Sequence, residues 1–174
     1  MSSENYRVAP MAYLAADEIA TNKLYTIEGA PLWLFGLLQS TMFTLWTRTV
    51  GGRLKSDPSI SPGSVYNTFP FPILNEQQQQ RIEVHASTIL NARAEFPEAS
   101  LADLYSPLSM PKNLINAHDA LDKAVDAAFA PRSNLAQDDA RLSVLFNRYI
   151  TMTEQLAEKP VRRRRRKASP KATD

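Results

Sequence analysis

Apolar residues recur at helical spacing through the second half of the chain, between about residues 75 and 158. The pattern predicts three helices. The first follows an N-cap at Asn75, and the second is closed by Pro131. The third starts at Asp138 or Asp139. Helices of this length can close a small bundle. Their apolar positions are Ile82, Ala86, Ile89 and Leu90, then Leu114, His118, Leu121, Val125 and Ala128, then Leu142, Leu145, Phe146, Tyr149, Met152 and Leu156.

The first half of the chain has a different pattern, in which extended segments precede one long apolar helix. Residues 6–30 read as extended structure, because the stretch 23–27 is rich in β-branched and aromatic residues and is followed by a turn. Residues 31–50 are apolar on most sides, which predicts a buried helix. We expect it to stop at Gly51-Gly52 with a left-handed C-cap. A short strand is expected at 64–68.

The two patterns meet at Phe69-Pro70-Phe71-Pro72, where each Phe precedes a Pro and is therefore held extended. The predicted fold class is α+β. A small mixed segment with a buried helix fills residues 1–72, and a C-terminal helical bundle fills residues 73–158. Residues 159–174 contain five consecutive Arg followed by Lys, which repel one another. We predict a disordered basic tail there.

Composition excludes several classes of function. The 174 residues suffice for one ordinary domain or two small ones. The chain has no Cys, which excludes a disulfide scaffold, a cysteine nucleophile and a thiolate metal site. The net charge of +2 averages an acidic body and a strongly basic tail. The sequence shows neither a signal peptide nor a convincing membrane span, so a cytoplasmic location is expected by default.

Motifs that would carry catalysis are absent from the sequence. There is no Gly-rich phosphate loop and no Gly-x-Ser-x-Gly elbow. Asp119, Asp122 and Asp126 share a helix face by their spacing, and a solvated face is the preferred interpretation over a metal site. His118 lies on an apolar face and is interpreted as a core histidine. No catalytic or metal-ligating residue is therefore assigned, and no cofactor is expected to bind this chain.

The unusual stretch is Gly51-Gly52-Arg53-Leu54-Lys55-Ser56-Asp57. Two glycines allow the backbone either to approach another group closely or to turn with positive φ. Arg and Lys can donate to guanine O6 and N7 in the major groove, and Asp can accept from cytosine N4. Lys55 and Asp57 are two residues apart, so in extended conformation they project to the same side. One side of the segment then offers a donor and an acceptor to a single G·C pair. An exposed polar turn is the alternative.

Seven short stretches carry a resemblance to a known family. From Tyr6 to about Leu156, the chain resembles the C-terminal part of MmeI-like, type IIL restriction–modification enzymes. In these enzymes nuclease, helical, adenine-N6 methyltransferase, target-recognition and C-terminal helical parts follow in that order. The stretches are Leu34-Phe35-Gly36-Leu37-Leu38-Gln39-Ser40, Trp46-Thr47-Arg48, Gly52-Arg53-Leu54-Lys55-Ser56-Asp57, Val65-Tyr66-Asn67-Thr68-Phe69-Pro70, Ala99-Ser100-Leu101-Ala102-Asp103-Leu104-Tyr105, Met110-Pro111 and Ala117-His118-Asp119-Ala120-Leu121-Asp122.

The resemblance implies a DNA-binding role for the unusual stretch. Residues 1–72 would be the C-terminal portion of a target-recognition domain, and residues 73–158 the C-terminal helical domain. The positions of Lys55 and Asp57 would form a base-reading pair that varies with sequence specificity. Arg53 and Ser56 would position the loop or contact phosphate. The implied partners are double-stranded DNA and a catalytic methyltransferase/nuclease polypeptide, with S-adenosylmethionine in the methyltransferase part that is missing here.

The sequence also departs from the family pattern. Pro58-Ser59-Ile60-Ser61 stands where the family carries an aromatic, a basic and another aromatic residue before Ser. The basic residue lost at Ser59 removes an expected phosphate contact. The predicted function is a DNA sequence-recognition fragment of a type IIL restriction–modification adenine-N6 methyltransferase/endonuclease, non-catalytic by itself. It would be either a separately encoded subunit or the remnant of a split gene. The alternative is a small protein-interaction module with a basic nucleic-acid-binding tail.

Overall fold

Six α-helices, one π-helical turn and one short hairpin form the regular structure of the part of the chain that the computed structural model describes, residues 6–14, 17–21 and 24–158. The predicted tail at 159–174 lies outside these residues. In chain order the elements are α1 (Leu32–Leu38), α2 (Thr41–Val50), β1 (Arg53–Leu54), β2 (Asp57–Pro58), a π-helical turn (Pro62–Tyr66), α3 (Glu76–Ala94), α4 (Leu101–Leu104), α5 (Lys112–Phe129) and α6 (Asp138–Glu158).

The α+β class is confirmed.

One hydrophobic core joins elements from before and after residue 72. Helix α1 packs on α3, and α3 packs on α5. The predicted bundle of the last three long helices is not confirmed, because α6 packs mainly along α2. The Trp46 ring lies 5.6 Å from Phe146 and 5.3 Å from Tyr149. The largest fully buried side chains are Trp46, Tyr105, Phe43, Phe69, Leu37, Met42, Ile82, Ile89, Leu114, Leu121, Leu145 and His118.

The single helix predicted over residues 31–50 is wrong: the structure has two helices that break at Gln39 and Ser40. The Ser40 side chain accepts a hydrogen bond from the Phe43 N–H and so caps a new helix. The Gln39 side chain donates to the carbonyl of Ala9 at 2.8 Å. Both helices are largely buried, as the apolar pattern indicates. The left-handed C-cap is wrong as well, since Gly51 has a φ of −71°.

The short strand predicted at 64–68 is also wrong, because Pro62–Tyr66 forms a π-helical turn. Ser61 caps this turn by accepting a hydrogen bond from the Ser64 N–H, and Pro62 supplies the fixed φ that favours a helical start. Among the described residues of the predicted extended region, 6–30, none forms a strand. The turn expected after residues 23–27 is present at Gly29, which has a φ of 63°.

The helix starts in the second half follow the predicted signals. Asn75 and Gln78 form a reciprocal capping box at the beginning of α3. Ser100 and Asp103 form a second box at the single turn α4. Helix α5 ends two residues before Pro131, and α6 begins at Asp138, as predicted.

The predicted solvated face of α5 is wrong for two of its three aspartates. The Asp122 side chain is only 8% exposed and lies 3.0 Å from the Arg7 guanidinium. Asp126 is part-buried and pairs with Arg141 at 2.8 Å. Only Asp119 is half exposed, at 50% of its side chain. The two arginines come from distant segments, so the aspartates connect α5 to the start of the chain and to α6.

His118 is a core histidine, as predicted, and belongs to a buried polar network. Its Nε2 lies 2.8 Å from the Tyr105 hydroxyl, and that hydroxyl also accepts hydrogen bonds from the Arg93 guanidinium. Arg93 further donates to the Gln39 side chain and to the Met11 carbonyl, both at 2.6 Å. The network ties the N-terminal segment to α3 and α5 beside the break between α1 and α2.

Gly36 makes the α1–α3 contact possible, which leads to a prediction. A Cβ at this position would lie 2.5 Å from Cγ2 of the buried Ile82. We expect Gly36→Ala to lower the free energy of unfolding by about 2 kcal/mol, because the core has no room for the added methyl group. Urea denaturation measures this. Ile82→Leu removes Cγ2, so it should restore part of the loss in the Gly36→Ala background. Strictly additive effects of the two substitutions would contradict the contact.

Candidate nucleic-acid interface

The stretch singled out in the sequence forms a tight β-hairpin. Strands β1 and β2 are antiparallel, with Leu54 opposite Asp57 and Arg53 opposite Pro58. Lys55 and Ser56 form the two-residue turn, and Lys55 has a φ of 59°. Positive φ in such turns matches the twist of the flanking strands. The turn thus presents two exposed polar side chains at the tip of the hairpin.

The predicted geometry of the base-reading pair needs correction. Lys55 and Asp57 were expected to project to the same side of an extended segment, but Lys55 is itself the first residue of the turn. Alternation of side chains does not continue through a residue with positive φ. Asp57 instead shares a face with Leu54, because directly opposite residues of two strands point to the same side. Lys55 and Asp57 are still brought together at one end of the hairpin, two residues apart.

The other two candidate residues are in contact with each other. Arg53 donates from its guanidinium to the carbonyl of Ser56 at 3.0 Å. This hydrogen bond spans the turn and braces it. The Ser56 side chain is exposed beside Lys55. Arg53 therefore supports the shape of the hairpin tip, which is one of the two roles that the resemblance implied for it.

Leu54 is a feature of the hairpin that the sequence interpretation left out. Its side chain is 75% exposed, although it is apolar and lies beside Lys55. The available signal was an apolar residue between two cations in a polar loop. Single exposed leucines are common on protein surfaces, so this signal is weak.

The base of the hairpin is attached directly to the buried helix α2. Gly51 donates from its N–H to the Thr47 carbonyl at 2.9 Å and ends the helix. The Ser59 N–H donates to the Gly52 carbonyl at 2.8 Å and closes the hairpin. Helix α2 itself is buried from Met42 to Thr47. The hairpin is therefore carried by a rigid element of the core.

An aromatic cluster holds the chain on the far side of the hairpin. Phe69 contacts Phe43 of α2 edge-on at 5.2 Å and Phe71 at 4.8 Å. The Trp46 indole N–H donates to the Thr68 hydroxyl at 3.2 Å. Such aromatic pairs stabilise beyond the area they bury. The chain before the hairpin and the chain that follows it are consequently both attached to α2.

The described residues offer little to a metal ion. They contain no group of three or more His, Asp or Glu side chains arranged to hold one. Within the same described ranges, no helix combines the length and the apolar character that crossing a membrane requires.

Two family models match the chain side by side. The model described as the MmeI target recognition domain matches residues 1–73, which contain the hairpin and its supporting helices. The model described as the MmeI C-terminal domain matches residues 73–157.

Individual relatives agree with these matches. A protein of Bacillus subtilis (strain 168) named DNA methyltransferase A is 41% identical over 155 residues, which are 89% of this chain and 17% of that protein. A solved structure of the Type IIL restriction-modification enzyme MmeI in complex with DNA superposes with a TM-score of 0.84. The two sequences are 44% identical, and the matched region covers 88% of this chain and 20% of the chain in that solved structure.

The fold and the two matches thus define a target recognition domain followed by a C-terminal domain of the MmeI type. The chain belongs to the MmeI family of type IIL enzymes. It spans about a fifth of the length of the relatives it matches.

Proposed function

We propose that this chain recognises a DNA sequence by inserting its hairpin, residues 53–58, into the major groove. The observation that carries the proposal is the exposed hairpin tip on a buried helix, inside the segment that matches a target-recognition domain. The major groove of B-DNA is about 12 Å wide and admits a two-stranded β-ribbon. A rigid base matters, because base reading depends on side chains held in register with the duplex.

Lys55 and Asp57 are the proposed base-reading residues. A lysine ammonium can donate to O6 and N7 of guanine, and an aspartate can accept from N4 of cytosine. One G·C pair therefore satisfies both side chains at the tip. Leu54 lies on the same face as Asp57 and is suited to apolar contact with a neighbouring base, such as a thymine methyl group. Arg53 and Ser56 brace the turn or contact phosphate.

Methyl transfer and DNA cleavage are assigned to another polypeptide or to a preceding part of the enzyme. The five glycines of this chain do not form a strand–Gly loop–helix site, and the described sheet has only two residues in each strand. The residues described here therefore do not fit S-adenosylmethionine, which we expect the methyltransferase part to bind. Residues 73–158 would serve as the C-terminal helical domain that supports the recognition segment.

Exposed apolar side chains before α1 support contact with such a catalytic part. Ile19 is 95% exposed and Tyr25 is 69% exposed. Clusters of exposed apolar residues mark interaction surfaces. The exposed large apolar residues of this segment, within the described ranges, are Tyr13, Leu14, Ile19, Leu24, Tyr25 and Ile27. We propose that the preceding region of the enzyme covers them.

A selection experiment tests the reading role. The wild-type chain and the charge-swapped variant Lys55→Asp/Asp57→Lys are each used to select duplexes from a randomised DNA pool. We expect the swap to change the preferred base at one position, where each good bidentate contact contributes roughly 1–3 kcal/mol of discrimination. Lys55→Gly serves as a matched control: it relieves the positive φ of the turn, so it should fold normally and lose preference at that position.

Identical preferred sequences for the wild type and the swapped variant would contradict the reading role. The alternative function, a protein-interaction module whose basic tail binds nucleic acid, gives a different result. In that case a chain without residues 159–174 binds no DNA, and the hairpin contributes nothing measurable. The half-covered apolar side of α6 favours this alternative, since Phe146, Ile150 and Leu156 are exposed there.

A further inference from the structure

Three of the five glycines in this chain are required by the fold. Gly29 has a φ of 63°, which side chains rarely adopt. A Cβ on Gly36 would lie 2.5 Å from Ile82, and a Cβ on Gly51 would lie 2.3 Å from the Thr47 carbonyl oxygen. Each of these positions disfavours a larger residue for a reason found inside the protein.

Gly52 has no such internal reason. Its φ lies outside the left-handed region, and a Cβ built on it meets nothing within 4 Å. A glycine pair can serve either to adopt positive φ or to let other atoms approach closely. Neither Gly51 nor Gly52 has positive φ, and close approach inside the fold explains only Gly51. Glycine also costs more backbone entropy on folding than alanine does. The fold alone would accept alanine at position 52.

The position of Gly52 relates it to the proposed DNA contact. It is exposed and immediately precedes β1, and its carbonyl accepts the hydrogen bond that closes the hairpin. Leu54, which lies opposite the short side chain of Asp57, is two residues away, a distance of about 7 Å along a strand. The major groove is about 8.5 Å deep. A tip that reaches the base edges therefore places Gly52 at the rim of the groove, where the phosphates lie.

We infer that Gly52 is a positioning residue, at which the sugar–phosphate backbone of one DNA strand comes into van der Waals contact with the protein main chain. This inference rests on the proposed function of the hairpin. A side chain at position 52 would hold the duplex away from the hairpin base. Lys55 and Asp57 would then no longer reach the base edges at hydrogen-bonding distance.

Thermal melting and DNA binding by the full chain test the inference together. The probe is the duplex enriched by the wild-type chain, with excess poly(dI·dC) to suppress binding by the basic tail. We expect Gly52→Ala to melt at or above the wild-type temperature and to raise Kd about tenfold. Gly52→Val should raise Kd further. Gly63→Ala is the matched control, because Gly63 also has open space around it but lies outside the hairpin. It should bind like the wild type.

The outcomes separate this inference from the proposed function. Wild-type Kd values for Gly52→Ala and Gly52→Val, beside normal binding by the wild type, would overturn the role of Gly52 alone. A large drop in the melting temperature of Gly52→Ala would also overturn it, since the fold would then need the glycine. Absence of duplex binding by the wild-type chain itself would overturn the proposed function and this inference with it.

Discussion

Replacing Asp122 by alanine is expected to lower the free energy of unfolding by about 3 kcal/mol. The buried carboxylate accepts hydrogen bonds from the Thr41 N–H and hydroxyl, both at 2.7 Å. It also pairs with Arg7 at 3.0 Å. The substitution leaves the first N–H of α2 without its acceptor and removes a negative charge from the positive end of that helix. Urea denaturation at neutral pH measures the loss.

Asp119→Ala is the matched control for this prediction. Asp119 bonds to the same Arg7 guanidinium, at 2.6 Å, but half of its side chain is exposed. An exposed ion pair contributes little, so we expect a loss of about 0.5 kcal/mol or less. Equal losses for the two variants would show that Asp122 contributes only as a partner of Arg7 and would contradict its role at the start of α2.

Local sequence signals were sufficient for most of the helical half. Helical spacing of apolar residues and the cap at Asn75 depend on neighbours in sequence, and these elements were predicted correctly. The break between α1 and α2 was missed for the opposite reason. Gln39 bonds to Arg93, which is 54 residues away, and no local pattern reveals such a partner. The burial of Asp122 was missed in the same way, because it depends on Arg7.

The candidate site was located by its residue types but not by its geometry. A segment with two cations, a serine and an aspartate between glycine and proline indicates an exposed polar loop, and the structure places it on the surface. Two-residue hairpins usually carry Asn-Gly or Asp-Gly at the turn, and these pairs make them recognisable in a sequence. Here Lys55 and Ser56 occupy the turn, so the sequence did not indicate that Lys55 has positive φ. An extended segment was predicted in its place.

Stability of this chain is expected to fall as the pH drops below 6.5, and His118 is the residue responsible. Burial, together with the positive charges of Arg7 and Arg93, lowers the pKa of His118 from 6.5 to about 3, against weaker opposing effects of the Gln39 backbone and Asp119. Two Arg93 donors occupy the lone pairs of the Tyr105 hydroxyl, which leaves the hydroxyl proton to be donated to Nε2 of the neutral imidazole. Protonation of Nε2 would place two donors face to face.

The direction of the pH effect follows from proton binding in the two states. Below pH 6.5 the unfolded chain takes up a proton on His118, while the folded chain does not until the pH approaches 3. The free energy of unfolding therefore falls with a slope that approaches about 1.4 kcal/mol per pH unit once the unfolded histidine is mostly protonated. Half of the unfolded histidine is already protonated at pH 6.5, so the expected loss between pH 6.5 and 4.5 is about 2 kcal/mol. Burial raises the pKa of Asp126, which acts in the opposite direction at the acidic end.

His118→Gln isolates the histidine contribution, since a glutamine side chain can accept from Tyr105 but cannot take up a proton. Urea denaturation of both proteins at several pH values between 6.5 and 4.5 gives the two slopes. The glutamine variant should be less stable at neutral pH, because the planar ring fills its site better, and its stability should depend less steeply on pH by about one proton. Parallel slopes would mean that the folded protein binds the proton as readily as the unfolded chain. The buried network around Tyr105 and Arg93 would then have to open at mildly acidic pH to let His118 carry its charge.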